Sequence, residues 1–250
     1  MTAPPRPGPP VVRLDTVEST QAVALALAAE GAPDRTVVVA DHQTAGRGRR
    51  GRAWADAPGA SLLASIVVRP RLPLARLAAV SLASAVAVAE ALAAAAGLAP
   101  RLKWPNDVLV GGRKLAGILV ESRLTPAPLL VVGVGVNLHQ ASFAPPLDAR
   151  ATSVRIETGR SVERDTLLAA LLEAFDVWRA RLEGEGVGPV RARWLALADT
   201  VGRRVTVDGL EGTAVGLDAD GALLVDDGAA VRRVMAGEIT ESGVTHAARR

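Results

Sequence analysis

Residues 44–54 read TAGRGRRGRAW and contain three glycines and four arginines ahead of a closing tryptophan. Glycine lets backbone N–H groups approach an anion closely, and guanidinium groups can bind phosphate oxygens in pairs. The preceding segment, TVVVADHQ, predicts a buried strand that leads into this loop. The pattern favours a phosphate-binding loop, and an arginine-rich surface turn or a nucleic-acid contact is the alternative.

Lysine is scarce in this arginine-rich chain and occurs only as Lys103 and Lys114, while asparagine occurs only as Asn106 and Asn137. A lysine ammonium is compact and can bind a single oxygen in a site too narrow for the planar guanidinium group. Three of these four residues fall within 103–114. We interpret that segment as functional, and chance retention of surface lysines is the alternative.

Composition excludes several kinds of site. The chain has no cysteine, so disulfides, thiolate metal sites and cysteine nucleophiles are excluded. The three histidines are scattered at His42, His139 and His246, and we predict no metal cluster held by protein side chains. The net charge is +3 and aromatic residues make up 2% of the chain, which argues against a nucleic-acid partner.

Apolar periodicity predicts the elements that position these residues. A run of alanine and leucine predicts a short helix that begins with N-cap residues Ser19 and Thr20 and stops at Gly31. The segment from Pro73 to Gly97 predicts a long helix. Further strands are predicted at SLLASIVVRP and LLVVGVGVNL, and RLKWPNDVLV and GGRKLAGILVES are predicted as two strands joined by a hairpin at Gly111 and Gly112.

The C-terminal third predicts helices followed by short strands. A shorter helix is expected around Trp194, and from Val201 short β segments separated by Asp and Gly predict a small barrel. The fold class is therefore α+β, with a mixed sheet flanked by helices and a small β domain after it. The buried face of the helix before Trp194 is predicted to be Leu167, Leu168, Leu171, Leu172, Phe175, Trp178 and Leu182.

Domain boundaries follow from the composition. The proline-rich start, MTAPPRPGPP, predicts a disordered tail over 1–11, followed by a main domain over 12–198 and the barrel over 199–245. The start lacks the cationic and apolar regions of a secretory signal, which favours a cytoplasmic location. The apolar run from Leu77 to Ala99 is mostly alanine and includes Glu90, so we predict a packed helix and no membrane partner.

Four motifs, TAGRGRRGRAW, KWPNDVLV, RKLAGILVE and VVGVGVNL, occur in this order and at this spacing. Together they resemble the catalytic domain of biotin protein ligases, and the resemblance runs from about Val12 to the C-terminus. It implies that residues 12–198 are a catalytic domain and that the barrel is SH3-like.

The resemblance implies a reaction in two steps. The carboxylate of biotin attacks the α-phosphate of ATP to give biotinyl-5′-AMP and pyrophosphate, and an acceptor lysine then attacks the acyl carbon and releases AMP. Mg²⁺ would accompany ATP, held mainly by phosphates and water. The expected partner is a biotin carboxyl carrier domain of an acyl-CoA or pyruvate carboxylase.

The resemblance also assigns roles to individual residues. The catalytic residues would be Lys114, Arg49 and Asp107, of which Asp107 would help to deprotonate the acceptor amine or would only hydrogen-bond its own turn. The biotin-binding residues would be Ser19, Thr20, Gln21, Gln43, Gly46, Arg47, Gly48, Arg49, Lys114, Gly133 and Gly135. The residues that bind ATP or the adenylate would be Arg47, Arg49, Arg52, Trp54, Lys103, Asn106, Lys114 and Asn137.

The chain departs from the family in two places. Some members carry an N-terminal helix-turn-helix domain, whereas the matching region here begins within the first twenty residues, so we expect a ligase without repressor function. The segment 139–151 has Phe143 as its sole aromatic residue, which leaves the residue that covers adenine unassigned.

Two other functions stay open. Lipoate or octanoate ligases and transferases share the architecture but are not expected to carry RGRRGRAW. A non-enzymatic nucleotide or nucleic-acid binding module would leave Lys114 unexplained.

Overall fold

A computed structural model describes residues 9–125 and 127–241 of the 250-residue chain. Within these residues the chain forms two compact units, one from residues up to 71 together with 113–169, the other from 72–112 together with residues from 170 onward. Residues 1–8 of the predicted tail lie outside the described residues, and the first strand begins at Val11. The predicted domain boundaries at 12–198 and 199–245 stay a prediction.

Strands and helices are mixed along most of the chain, and the last five elements of the described residues are all strands. In chain order they are β1 (Val11–Val17), α1 (Thr20–Ala29), β2 (Val37–Gln43), β3 (Ser61–Val68), α2 (Ala79–Ala96), β4 (Arg101–Lys103), β5 (Asp107–Val110), β6 (Arg113–Arg123), β7 (Leu129–Asn137), α3 (Val154–Thr158), α4 (Arg164–Glu185), α5 (Val187–Leu197), β8 (Arg204–Val207), β9 (Leu210–Leu217), β10 (Leu223–Asp226), β11 (Val231–Val234) and β12 (Ile239–Glu241).

The first unit is built on a mixed sheet in the order β1-β2-β3-β7-β6. Strands β1 and β2 run parallel, and the other neighbouring pairs are antiparallel. Strand β3 lies in the middle with all eight residues buried, which explains why it reads as a nearly unbroken apolar run. Helix α1 packs on this sheet through Ala24 and Ala28, which meet Val38, Val67 and Val131 in one apolar cluster.

The second unit contains α2, the β4-β5 hairpin, α5 and the C-terminal strands. Glu90 interrupts the apolar sequence of α2 because its carboxylate accepts hydrogen bonds from Trp178 Nε1 at 2.7 Å and Arg193 Nε at 2.8 Å. The segment Leu74–Ala96 is long and apolar enough to cross a membrane by length and composition, but 72% of an apolar stretch of 18 residues within it is buried inside the protein.

The C-terminal strands form an antiparallel sheet in the order β11-β10-β9-β8-β12. With the mixed sheet of the first unit, this confirms the predicted α+β class and its small C-terminal β domain. The turn between β10 and β11 is organised by Asp227, whose carboxylate accepts the N–H groups of Ala229 and Ala230 and pairs with Arg232 at 2.8 Å. The hydrogen bond from Arg232, followed by those from the backbone, lowers the pKa of Asp227 to about 2.

The lowered pKa of Asp227 predicts that this turn stabilises the folded protein by an amount that depends on pH. Because the pKa of Asp227 is lower in the folded protein than its ordinary value of 3.8, the stabilisation is present above about pH 4 and is lost as the pH falls toward 2. We therefore expect Asp227→Ala to lower the melting temperature at pH 7 and to lower it less at pH 3, measured by circular dichroism. An equal drop at both values would contradict this assignment.

Several predicted elements differ in detail from the observed ones. RLKWPNDVLV forms two short antiparallel strands, β4 and β5, because residues 104–106 turn the chain back on itself. The predicted helix from Pro73 begins only at Ala79, after a short 3-10 turn at Leu74–Arg76. The predicted turn at Gly111 and Gly112 is confirmed by positive φ angles of 56° and 76°. The predicted helix around Trp194 is confirmed as α5.

Candidate functional site

The arginine-rich loop folds back on itself at the end of β2. The N–H of Trp54 donates to the carbonyl of Gly46 at 2.9 Å, and the N–H of Gly48 donates to the carbonyl of Arg52 at 2.7 Å. The turn is closed at its tip by Arg50 and Gly51, with φ angles of 57° and 74°. The folded loop thus brings four arginine side chains together, those of Arg47, Arg49, Arg50 and Arg52. Nη2 of Arg47 lies 3.6 Å from Oε2 of Glu121 on β6.

The indole of Trp54 lies against the sheet at two glycines. A Cβ on Gly135 of β7 would be 2.7 Å from Cε2 and Cζ2 of the indole, and a Cβ on Gly117 of β6 would be 3.1 Å from Cζ3. Position 135 must therefore lack a side chain for the ring to keep this place, whereas a side chain at position 117 would require only a small shift of the ring. Trp54 Nε1 is buried and has no hydrogen-bond partner within the described residues.

Lys114 lies beside this ring at the start of β6. Its Nζ is 5.7 Å from the centre of the Trp54 ring, within the range of a cation–π contact. A Cβ on Gly117 would be 3.2 Å from the same Nζ, so the lysine side chain lies along the strand toward the glycines. The site therefore places one ammonium group above a flat surface formed by backbone and indole.

Four polar side chains meet on the neighbouring part of the sheet. The carbonyl oxygen of the Gln43 side chain accepts from the backbone and the hydroxyl of Thr20 at 2.8 and 3.0 Å. The Thr20 hydroxyl also lies 2.9 Å from Ser65 Oγ, which donates to Gln21 Oε1 at 3.1 Å. A Cβ on Gly133 would be 2.6 Å from Gln21 Oε1, so a larger residue at this position would force the glutamine side chain to move.

The four polar side chains and Lys114 lie on the same face of the sheet at different levels, that is, at different positions along its strands. In the strand register, Ser65 of β3 is the partner of Gly133 on β7. Gly135 on β7 has Leu63 of β3 as its partner on one side and Gly117 of β6 on the other. Gly133 and Gly135 are two residues apart on one strand, which separates the levels by roughly 7 Å. The surface can therefore hold an elongated ligand with a polar head at Ser65 and an anionic end near Lys114.

Ser19 does not cap α1 as the sequence predicted. It occupies the N-cap position, but its side chain makes no capping hydrogen bond. Its Oγ is buried and has no hydrogen-bond partner within the described residues. A buried hydroxyl without a partner costs free energy, so its position beside Thr20 suggests a ligand that supplies the missing bond.

Comparison with known proteins relates this arrangement to enzymes. A model of the biotin/lipoate A/B protein ligase family matches residues 14–137, and the biotin protein ligase C-terminal domain matches residues 200–240. The biotin–[acetyl-CoA-carboxylase] ligase of Paracoccus denitrificans is 39% identical over 241 residues, which cover 92% of this chain and 100% of that protein. The chain belongs to the biotin protein ligase family.

Two further relatives agree with this assignment. The bifunctional ligase/repressor BirA of Bacillus subtilis is 33% identical over 233 residues, which cover 90% of this chain and 72% of that protein. A solved biotin protein ligase from Aquifex aeolicus, in complex with biotin and ATP, has a TM-score of 0.82 and 28% identity, covering 92% of this chain and 97% of that one.

The residues predicted for this family's site fall into two groups. The first unit brings together the loop, Lys114 and the polar side chains described above, and it also holds Asn137, whose Nδ2 donates to the carbonyl of Thr152 at 2.9 Å. The second unit holds Lys103, Asn106 and Asp107 together in the β4-β5 hairpin, where Lys103 and Asp107 are opposite each other in the strand register. That hairpin is tied to the chain before β8, since the N–H of Trp104 donates to Thr200 Oγ1 at 2.9 Å.

Sequence reasoning missed two residues of this candidate site, Ser65 and Gly117. Ser65 is fully buried within the apolar strand β3, and a polar residue in such a strand is a signal that it has a hydrogen-bond partner or a ligand. Gly117 lies inside the quoted motif RKLAGILVE, but its contact with Trp54 depends on the pairing of distant segments.

Metal binding by protein side chains was not predicted. Within residues 9–125 and 127–241, no three His, Cys, Asp or Glu side chains are grouped so that they could hold a metal ion.

Proposed function

We propose that the protein is an ATP-dependent biotin protein ligase. It joins biotin and Mg·ATP to give biotinyl-5′-AMP and pyrophosphate, then transfers biotin to a lysine of a biotin carboxyl carrier domain in an acyl-CoA or pyruvate carboxylase. Support comes from membership of the family and from the solved relative that holds biotin and ATP. The cytoplasmic location predicted from the sequence belongs to the same proposal.

The observation that carries the proposal is the layout of the sheet face. Biotin has a polar ureido head, an apolar chain and a carboxylate, in that order. Ser65 and Gln21 provide donors and acceptors at one level, and the Trp54 indole over Gly135 provides an apolar surface at the next, where the Lys114 ammonium also lies. Ser19 supplies a further group for the ureido head, since its buried Oγ has no hydrogen-bond partner in the part of the chain that the structure describes.

The first step would use Lys114 and the loop. The biotin carboxylate attacks the α-phosphorus, and the bond to the departing pyrophosphate breaks. The Lys114 ammonium binds the carboxylate and α-phosphate oxygens, whose charge grows in the transition state, where a preorganised cation is most effective. Arg47, Arg49 and Arg52 neutralise the phosphates, and Asn137 lies near the nucleotide.

The second step would depend on protecting the mixed anhydride from water. The loop of residues 44–54 is attached to the sheet by Trp54, and a cover in this position excludes water from the acyl phosphate. The incoming lysine amine must lose a proton to attack the acyl carbon, with AMP leaving. We assign Asp107 as the group that accepts this proton, and Lys103 and Asn106 as residues that bind the adenylate.

The test is pyrophosphate release from Mg·ATP with biotin or with lipoate, followed by transfer to a carboxyl carrier domain. Biotin-dependent release and labelling of one acceptor lysine are expected. Release with lipoate alone would assign the protein to the lipoate branch of the family, and release with neither would leave only a binding function.

Ser19→Ala is expected to change biotin binding without lowering the stability of the folded protein. Because the buried hydroxyl has no hydrogen-bond partner within the described residues, its removal is expected to leave the melting temperature unchanged or slightly raised. Biotin binding should weaken by about tenfold, the loss typical of one hydrogen bond. Calorimetric titration and thermal unfolding measure the two quantities, and unchanged biotin affinity would remove Ser19 from the site.

A further inference from the structure

The backbone of Lys114 is held by a segment that follows β7. The N–H of Lys114 donates to the carbonyl of Arg150 at 2.8 Å, and its carbonyl accepts from the N–H of Thr152 at 2.9 Å. These two bonds form a parallel bridge between Lys114 and Ala151. The direction in which the lysine side chain leaves the sheet therefore depends on the placement of residues 150–152.

That segment is in turn fixed through Glu157 of α3. Glu157 Oε1 accepts from Thr152 Oγ1 at 2.5 Å, and the same oxygen accepts from the Arg113 guanidinium at 2.7 Å. Arg113 directly precedes Lys114, and Thr152 is the residue that bonds the Lys114 carbonyl. One carboxylate oxygen thus connects the chain on both sides of the bridge.

The surroundings of Glu157 make this connection rigid. Thr152 is fully buried and the Glu157 side chain is 16% exposed, so water competes little for the bond between them, whereas the Arg113 side chain is 38% exposed. Helix α3, which carries the glutamate, is capped by Ser153, whose Oγ accepts from the N–H of Ile156 at 3.0 Å. Removing the carboxylate would leave a buried hydroxyl and a guanidinium without this acceptor.

We propose that Glu157 is a positioning residue that holds Lys114 in place for biotinyl-5′-AMP formation, acting through Arg113 and Thr152. The inference rests on the proposed function and deepens it. Glu157 touches neither biotin nor nucleotide in this account, and its effect is on the rate of the step in which the Lys114 ammonium binds developing charge. A displacement of about 1 Å at a reacting group is enough to cost up to 100-fold in rate.

The expected signature is a change in kcat with little change in KM. Glu157→Ala should lower kcat for biotin-dependent pyrophosphate release by about tenfold and change the KM for biotin by less than about twofold. Glu157→Gln keeps an oxygen acceptor and should recover most of the rate. Asp165→Ala is the matched control, because it removes the carboxylate of the Arg13–Asp165 ion pair at 2.8 Å elsewhere in the same unit.

A double-mutant cycle decides between positioning and general stability. In the Lys114→Ala background, Glu157→Ala should lower the residual single-turnover rate by less than about twofold, because the group it positions is gone. An equal tenfold loss in both backgrounds, or a loss confined to KM, overturns the proposal. If Glu157→Ala does not fold, Thr152→Val serves the same cycle with the same expected and contradicting results.

Measuring biotin-dependent pyrophosphate release by the wild-type protein distinguishes failure of this inference from failure of the function on which it rests. No biotin-dependent release by folded wild-type protein would overturn the proposed function and the positioning role together. Release by wild type that is unaffected by Glu157→Ala and by Thr152→Val would overturn the positioning role alone.

Discussion

Lys114→Ala is expected to lower kcat for biotinyl-5′-AMP formation by roughly 100-fold to 1,000-fold, the range seen when one preorganised group is removed from a developing charge. Its Nζ lies above the Trp54 ring and would be 3.2 Å from a Cβ at Gly117, so the ammonium occupies a narrow space over the sheet. Biotin-dependent pyrophosphate release under single-turnover conditions measures the rate.

Lys114→Arg tests whether charge alone is sufficient. The guanidinium keeps the charge but is wide and planar, and we expect it to recover only a small part of the rate. Full activity of Lys114→Arg would show that any cation suffices, and activity of Lys114→Ala close to wild type would remove Lys114 from the first step.

Gly135→Ala is the second large expected effect. The added Cβ would lie 2.7 Å from two carbons of the Trp54 indole, well inside van der Waals contact, so the ring must leave its place on β7. We expect kcat/KM for biotin to fall by about 100-fold, and the overpacking to cost about 1–3 kcal/mol of folding free energy. Steady-state kinetics and chemical denaturation measure these changes.

Gly184→Ala is the matched control for this substitution. Gly184 lies in α4, and a Cβ there would meet no heavy atom within 4 Å. Alanine is the better helix former, so activity should stay unchanged and stability should rise by about 0.5–1 kcal/mol. If Gly135→Ala behaved like Gly184→Ala, the proposed role of the indole and its glycine would be wrong.

The sequence predicted the elements that carry strong local patterns. Strand β3 is buried on both faces and reads as an apolar run, and the turn at Gly111 and Gly112 needs two positive φ angles that glycine adopts at little cost. The hairpin of β4 and β5 was missed because LKWPNDV has apolar residues on both sides of its turn. Periodicity cannot place a turn inside such a run.

The parts of the candidate site that lie within short sequence motifs could be predicted from the sequence. The arginine loop and Lys114 stand out by composition, since charge, glycine and a rare lysine are visible without structure. The roles of Ser65 and Glu157 were not visible, because both depend on hydrogen bonds between segments distant in the sequence. Ser65 meets Gln21 across 44 residues, and Glu157 meets Arg113 across the same separation.

The most direct measurement is a single-turnover reaction of excess protein with biotin and Mg·ATP labelled at the α-phosphate, without any acceptor protein. The account predicts that label appears as biotinyl-5′-AMP, only when biotin is present, and that the product stays bound under the loop of residues 44–54. Addition of a carboxyl carrier domain should then convert it to AMP and biotinylated acceptor. Label recovered only as unreacted ATP, or released as AMP regardless of biotin, would contradict the central claim.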